Sequence, residues 1–516
     1  MPPSPPPLPP TEPPIEPELD PVFGDLRWCL PFADADVLAV GGAQAGAASA
    51  ALAPLLPEGV RPIAAARAES VGAPASGWLL APADGIGTPG DHVRFIAAIA
   101  RPRFGRDRRS GAPPCSVAAI ASALRAAGFA RQETFLTLPS WRKPRAIIPA
   151  ALAGIGSVHF GRQIEGRSSG WLALLARLGW AGAFAPGALI VAHRREERAI
   201  SLLREATAVL AEFARTELGS TGPLTAMKLS SRTDPAGCFG LLAFAPPARE
   251  PLVWAKLPRT RAAERPLANE AQALADLAMH STLAPLLPLP FARLRLADGR
   301  PLLAMTAIAG RSGARRSGMR TAATAAALFA AAAALRAALD AATGSGTQPL
   351  PELVRRTLAE PIAASLQPVA ERAAAHLLAA VADGSAPAAA PLAAVHGDFV
   401  PDNLLARRDG SYALIDWEHY QPSGAAWTDR LQFLFPWLAD AARARCGRPA
   451  PLREWLTAAD WRAAAPLLRP FLAGDAPAPW FEPLFALHTV AMAAREARLG
   501  TATARRWNDL AMMLPQ

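Results

Sequence analysis

At 516 residues, with 51% hydrophobic and 19% charged side chains, the chain is too long for one ordinary core and too apolar to stay unfolded. Two or three globular domains are expected at about 100–200 residues each. The formal net charge of +10 would suit a polyanion, but the basic residues are scattered, and the densest runs, 101–109 (RPRFGRDRR) and Arg142, Lys143 and Arg145, carry no nucleic-acid motif. Both runs are read as solvated loops, and nucleic acid is not an expected partner.

Residues 1–21 are Pro-rich and acidic, without a basic segment leading into an apolar one. They read as a disordered tail rather than a secretory signal. Cys29, Cys115, Cys238 and Cys446 lie far apart without zinc-type spacing, so reduced thiols and a cytoplasmic location are expected.

Residues 22–200 alternate short apolar runs with Ala-rich stretches, the pattern of an α/β, Rossmann-like domain. Strands are expected at 36–40, 61–65, 77–81 and 133–138, and helices at 93–99 and 116–127. Within this region 123–149 (ALRAAGFARQETFLTLPSWRKPRAIIP) resembles the C-terminal third of class I S-adenosylmethionine-dependent methyltransferases. Such enzymes need a glycine-rich turn after the first strand and an acidic residue near the end of the second. Here the turn is Gly41-Gly42-Ala43-Gln44-Ala45-Gly46, and the acid, Glu69, is displaced from the strand end. A degenerate fold without cofactor is therefore the expectation. Binding of S-adenosylmethionine would instead make this region a methyltransferase.

Two stretches approach membrane-span composition, 178–192 (LGWAGAFAPGALIVA) and 321–335 (TAATAAALFAAAAAL). Each is shorter than the about 20 residues a spanning helix needs. The first contains Pro186 and the second stops at Arg336, so both are expected to be buried core. Residues 201–219 read as a connecting helix.

The chemistry concentrates further on. Val395-His396-Gly397-Asp398-Phe399-Val400-Pro401-Asp402-Asn403 is followed by Tyr412-Ala413-Leu414-Ile415-Asp416-Trp417-Glu418. A short strand places Asp398 on a loop, Asn403 comes five positions later, and a hairpin through Asp409-Gly410 returns Asp416 beside them. Three oxygen donors then converge. Upstream, Leu252-Val253-Trp254-Ala255-Lys256 reads as a strand ending in a lysine, and Glu270 begins a helix fourteen positions later.

These motifs resemble the aminoglycoside phosphotransferase and choline kinase group of kinase-like enzymes across about 220–510. The resemblance implies an α+β bilobal, protein kinase-like domain, with a small lobe at 220–310 and a mostly helical large lobe at 311–516. It further implies transfer of the γ-phosphoryl group of ATP or GTP to a hydroxyl of a small molecule. Asp398 would be the base, His396 would support the loop, and Asn403 and Asp416 would hold Mg²⁺. Lys256 would meet the nucleotide phosphates with Glu270 as its partner. The turn around 230–240, including Ser230 and Gly237, would cover the phosphates, 301–310 would form the hinge, and Asp429 would brace the catalytic loop. The acceptor stays open among aminoglycoside-like, sugar-like and choline-like molecules. An aminoglycoside would call for clustered carboxylates, and a choline-like cation for an aromatic cage, for which Trp427, Trp437, Trp455, Trp461, Trp480 and Trp507 are candidates, although core positions suit them as well. A pseudokinase that binds nucleotide or a protein partner without turnover is one alternative, and a bifunctional methyltransferase-kinase, should residues 22–200 bind S-adenosylmethionine, is the other.

Overall fold

The computed structural model describes residues 26–30, 37–41, 61–64, 77–80, 95–100, 116–138, 145–160, 188–194, 201–229, 237–312, 322–434, 480–498, 507–508 and 511. They fall into two compact units, one built mainly from the chain up to Val209 with Thr225–Gly240 and Arg259–Ala263, the other from Leu210–Leu224, Leu241–Pro258 and Glu264–Gln516.

The first unit is organised by a sheet. Strands β1 (Val37–Gly41), β2 (Arg61–Ala64), β3 (Gly77–Leu80) and β4 (Phe95–Ala100) pair in parallel in the order β2-β1-β3-β4. Helix α1 (Val117–Ala126) leads to β5 (Arg131–Leu138) and β6 (Ala146–Pro149), then α2 (Ala153–Phe160) and β7 (Ala188–His193). Strand β7 runs antiparallel to both β4 and β5 and lies between them. The sheet is therefore mixed, and the connections 42–60, 65–76 and 81–94, which include the glycine turn and Glu69, lie outside the described residues.

The expected helix at 93–99 is instead strand β4. Its sequence FIAAIA has no polar positions because the strand is covered on both sides, with Ile96, Ala97 and Ala98 fully buried. A continuous apolar run carries no period, and its alanines misled the reading towards helix. The apolar end of 178–192 becomes β7, every residue of which is buried. Helix α3 (Leu202–Glu217) follows, with Ser201 Oγ accepting from Arg204 N–H at 3.3 Å at its start. In β8 (Thr225–Leu229), Lys228 is fully buried, its ammonium 4.4 Å from the centre of the Phe239 ring.

In the second unit, β9 (Cys238–Phe244), β10 (Val253–Pro258), β11 (Phe291–Arg295) and β12 (Pro301–Thr306) contribute a sheet in the order β11-β12-β10-β9, with residues of β9 from Leu241 on belonging to this unit. Helix α4 (Glu264–Ala278) packs on β10, β11 and β12. Its buried positions Leu267, Glu270, Ala271, Leu274 and Leu277 trace one stripe at helical spacing. Glu270 lies within the helix rather than at its start, and it is the charged residue on that apolar stripe.

Two small antiparallel sheets follow: β13 (Gly310–Ser312) with β16 (Leu404–Arg407) and β17 (Tyr412–Leu414), and β14 (Gly346–Pro349) with β15 (Ala389–Val395) and β18 (Gln421–Ala425). Around them lie α5 (Ala322–Thr343), α6 (Leu350–Leu358), α7 (Gln367–Ala382) and α8 (Phe481–Arg498), with α7 packed along α8.

Helix α5 extends past the expected stop at Arg336. Its segment Ala326–Thr343 is long and apolar enough to cross a membrane by length and composition. Arg336 nevertheless lies on the same stripe as buried Leu328, Phe329, Ala332, Leu335 and Leu339, and is itself fully buried. Its guanidinium pairs with Asp429 and donates from Nη2 to the carbonyl of Ala394 at 2.6 Å. That face of α5 is thus committed to the protein interior.

Candidate active site

The site is assembled from four short pieces of the second unit: the end of β10, the middle of α4, the loop after β15 and the turn after β17. Each piece is fixed by an identifiable local feature.

The hairpin β16–β17 turns at Gly410, with φ of +86°, where Asp409 Oδ1 accepts from the amide of Ser411 at 2.9 Å and from its hydroxyl at 2.7 Å. This side chain-to-backbone turn sets the register Leu404↔Leu414, Leu405↔Ala413, Ala406↔Tyr412. It brings Ile415 N–H onto the carbonyl of Asn403 at 3.1 Å. Asp416 comes next with φ of +71°, a left-handed conformation that aspartate tolerates better than bulkier residues, at a cost of about 1–3 kcal/mol.

Asp416 ends beside the lysine. Lys256 Nζ bonds both Glu270 Oε2, at 2.6 Å, and Asp416 Oδ1. One ammonium thus serves two carboxylates, one from the small-lobe helix and one 160 positions further along the chain. Burial would raise Asp416, but the charge and hydrogen bond of Lys256 hold it below the usual carboxylate range. Burial pushes Glu270 up more strongly than Lys256 pulls it down, and the negative charge of Asp416 adds to the rise. Asn269, adjacent to Glu270, donates to the carbonyls of Glu418 at 3.0 Å and Tyr420 at 2.9 Å, which tethers α4 to the segment after Asp416.

The loop after β15 is held from beneath. Asp429 is fully buried and its Oδ2 accepts from His396 N–H at 2.9 Å, its Oδ1 from Gly397 N–H at 3.0 Å. Arg336 supplies the opposing charge. Gly397 has φ of +77°, and a Cβ there would lie 2.2 Å from the carbonyl oxygen of His419, so glycine is required on two counts. From α8, Arg495 Nη1 donates to the Gly397 carbonyl at 2.7 Å while its Nη2 bonds Glu496 at 2.8 Å.

His396 is fully buried, its ring 4.5 Å from that of Trp417. Its Nδ1 accepts from the amide of Asp398 at 3.2 Å, so the proton must reside on Nε2, which faces the carbonyl of Ile415 at 2.9 Å. Burial lowers its pKa and keeps the ring neutral. His396 therefore joins the loop after β15 to the turn after β17, with both ring nitrogens engaged.

Asp398 has both carboxylate oxygens engaged by amides: Oδ1 by Gln432 Nε2 at 3.0 Å and Oδ2 by Asn403 Nδ2 at 3.0 Å. Asn403 Nδ2 also donates to the Asp398 carbonyl, at 2.8 Å. These two bonds orient the Asn403 amide and leave its oxygen as the face available to a cation. Burial and the neighbouring charge of Asp416 raise the pKa of Asp398. The same two causes push Glu418 up to about 8. The site thus gathers Asp398, Asp416, Glu270 and Glu418 around Lys256 and Arg495, an excess of carboxylate that a divalent cation would relieve. Hard oxygen donors of this type suit Mg²⁺, which needs only one or two protein carboxylates besides phosphate oxygens and water. Among the described residues, no group of three or more His, Cys, Asp or Glu side chains forms a closed metal cage.

Of the other expected positions, Ser230 lies outside the described residues, and Gly237 directly precedes β9, its carbonyl accepting from Arg259 N–H at 3.3 Å. Trp427 pairs with Trp480 at 5.4 Å between ring centres, and Trp507 packs edge-on against His488 at 5.8 Å. Trp437, Trp455 and Trp461 lie outside the described residues. Sequence reasoning missed Gln432, Arg336 and Arg495. A signal existed for Arg336, a charge at helical spacing within an alanine-rich apolar face; none existed for the other two.

Residues 252–427 match the model of the Phosphotransferase enzyme family. Among solved structures, similarity is found to a GDP complex of wild-type aminoglycoside 2'-phosphotransferase-IIIa, with 12% identity over 59% of this chain and 97% of that one, at a TM-score of 0.39. A glucosamine kinase gives 21% identity over 62% and 84% of the two chains, at 0.32. A choline/ethanolamine kinase family protein from Mesorhizobium loti gives 19% over 60% and 99%, at 0.30. No curated protein sequence matches the chain.

Proposed function

We propose that this chain transfers the γ-phosphoryl group of ATP or GTP to a hydroxyl of a small molecule. The observation that carries the reading is the single ion cluster Lys256–Glu270–Asp416, formed by residues far apart in sequence and adjoining a loop whose aspartate is held by two amides. Phosphoryl transfer asks mainly for alignment and for positive charge against the β- and γ-phosphates.

In this reading Lys256 meets the phosphates while Glu270 fixes its position. Asn403 and Asp416 would hold Mg²⁺, which when bound offsets phosphate charge and helps align the transferred group. Asp398 orients the acceptor hydroxyl. The hydroxyl oxygen bonds to the γ-phosphorus, the bond to the β–γ bridging oxygen breaks, the nucleoside diphosphate leaves, and the hydroxyl proton passes to the Asp398 carboxylate. The raised pKa of that carboxylate makes it a better proton acceptor than an exposed aspartate. His396 and Asp429 keep the loop in place. The turn containing Ser230 and Gly237 is assigned to the phosphates on family resemblance alone.

The deciding experiment measures Mg²⁺-dependent nucleotide binding by calorimetry and phosphate release for the natural protein, Asp416→Ala and Asp398→Ala. Binding lost in Asp416→Ala, with turnover lost but binding kept in Asp398→Ala, supports the reading. Binding without any turnover in the natural protein would establish the pseudokinase instead.

A further inference from the structure

The chemistry assigned to Asp398 depends on where its carboxylate points, and one residue touching it belongs to neither motif. Residues 427–434 are helical, and Asp429 and Gln432, three positions apart, share one face of that segment. Asp429 holds the backbone amides of His396 and Gly397. Gln432 reaches the next residue, donating from Nε2 to Asp398 Oδ1 at 3.0 Å.

With Asp398 ionised, as a base must be, the direction of this bond is fixed. A carboxylate oxygen accepts, so the amide nitrogen of Gln432 must face it, and turning the amide round would set oxygen against oxygen. The required orientation leaves Gln432 Oε1 buried with no hydrogen-bond partner among the described residues, in a side chain only 1% exposed. An apolar side chain of similar volume would fill this place without burying an amide oxygen. Filling the space does not account for a glutamine whose oxygen is left without a partner.

We infer that Gln432 is a positioning residue for the proposed phosphoryl transfer, fixing the rotation of the Asp398 carboxylate from the side opposite Asn403. With Oδ2 engaged by Asn403 and Oδ1 by Gln432, the carboxylate plane is defined by two directional bonds, and each oxygen keeps a second lone pair in a set direction. Without Gln432 the group can turn about its terminal torsion, which is intrinsically broad. This inference rests on the functional reading above.

The test uses the full-length chain with MgATP or MgGTP and water as acceptor, following γ-phosphate release, nucleotide affinity and thermal midpoint for Gln432→Met, Gln432→Glu and Asp398→Asn. Methionine keeps the volume and removes the donor. The expected result for Gln432→Met is a rate lowered by about tenfold to a hundredfold with nucleotide affinity and midpoint unchanged, and a deeper loss for Gln432→Glu, which sets a second carboxylate against Asp398. A Gln432→Met rate equal to the natural one, while Asp398→Asn is impaired, overturns the inference and leaves the phosphotransferase reading standing. Parallel loss of rate, affinity and midpoint in Gln432→Met reduces Gln432 to a structural role and also overturns it. If Asp398→Asn releases phosphate at the natural rate, the phosphotransferase reading itself fails and takes this inference with it.

Discussion

The two halves of the candidate site are held by different physics. At Lys256, Glu270 and Asp416 the restraint is charge: one ammonium balances two carboxylates and opposes the rise that burial imposes on both. At His396 to Asp398 the restraint is direction: two backbone amides on Asp429, one on His396, and two side-chain amides on Asp398. Charge tolerates small displacements and responds to an arriving phosphate or cation, whereas directional bonds to neutral donors do not. The difference suits the division of labour proposed here, in which one half accommodates a nucleotide and the other keeps a base in place.

Substitutions can break this contrast. The largest effect is expected at Asp398→Asn, which retains shape and should retain nucleotide binding while phosphate release falls by about a hundredfold to ten-thousandfold. Asp429→Ala attacks the directional half at its root and leaves the buried Arg336 without its closest carboxylate; a loss of about 3–5 kcal/mol in unfolding free energy is expected, read by denaturant titration. Lys256→Met attacks the charged half, and calorimetry should show nucleotide binding weakened by about tenfold to a hundredfold.

One further effect sharpens the comparison from outside both halves. Burial, and then the charge of Arg495, hold His488 on α8 down to about 3 from an ordinary 6.5. Between these values the unfolded chain binds a proton that the folded chain does not, so stability is complete above 6.5 and declines as pH falls, by up to about 1.4 kcal/mol per unit. His488→Phe should flatten the stability profile between pH 6 and pH 4, leaving the shares of His193, His396 and His419, whose pKa values burial also lowers.

The proximity of Asp398, Asn403 and Asp416 was legible because all three lie within one loop and one hairpin, where turn chemistry fixes geometry over a few residues. Lys256 and Glu270 were legible from their spacing on a strand and the helix after it, although the helix begins earlier than expected. What escaped was long-range. Gln432 and Arg495 reach the loop from 34 and 98 positions away, and a lone glutamine or arginine on a helix carries no mark of its target. In the first unit, most of the expected strands appear near their expected positions, but β4 was misread because a strand covered on both faces shows no alternation. The family match extends over residues 252–427, so the methyltransferase resemblance upstream gains nothing from it.

The bracing of residues 394–397 by Arg336 and Asp429 also bears on the exchange of backbone hydrogens with solvent. Loop amides ordinarily exchange fast, because small local openings free them. The amides of His396 and Gly397 end on a carboxylate that is fully buried and tied to the interior of α5. They are released only when Asp429, on the helical segment 427–434 and paired with Arg336 of α5, moves away from the loop. Their deuterium uptake should therefore be as slow as that of core strands, marking a loop whose opening is as rare as unfolding of the unit that contains it.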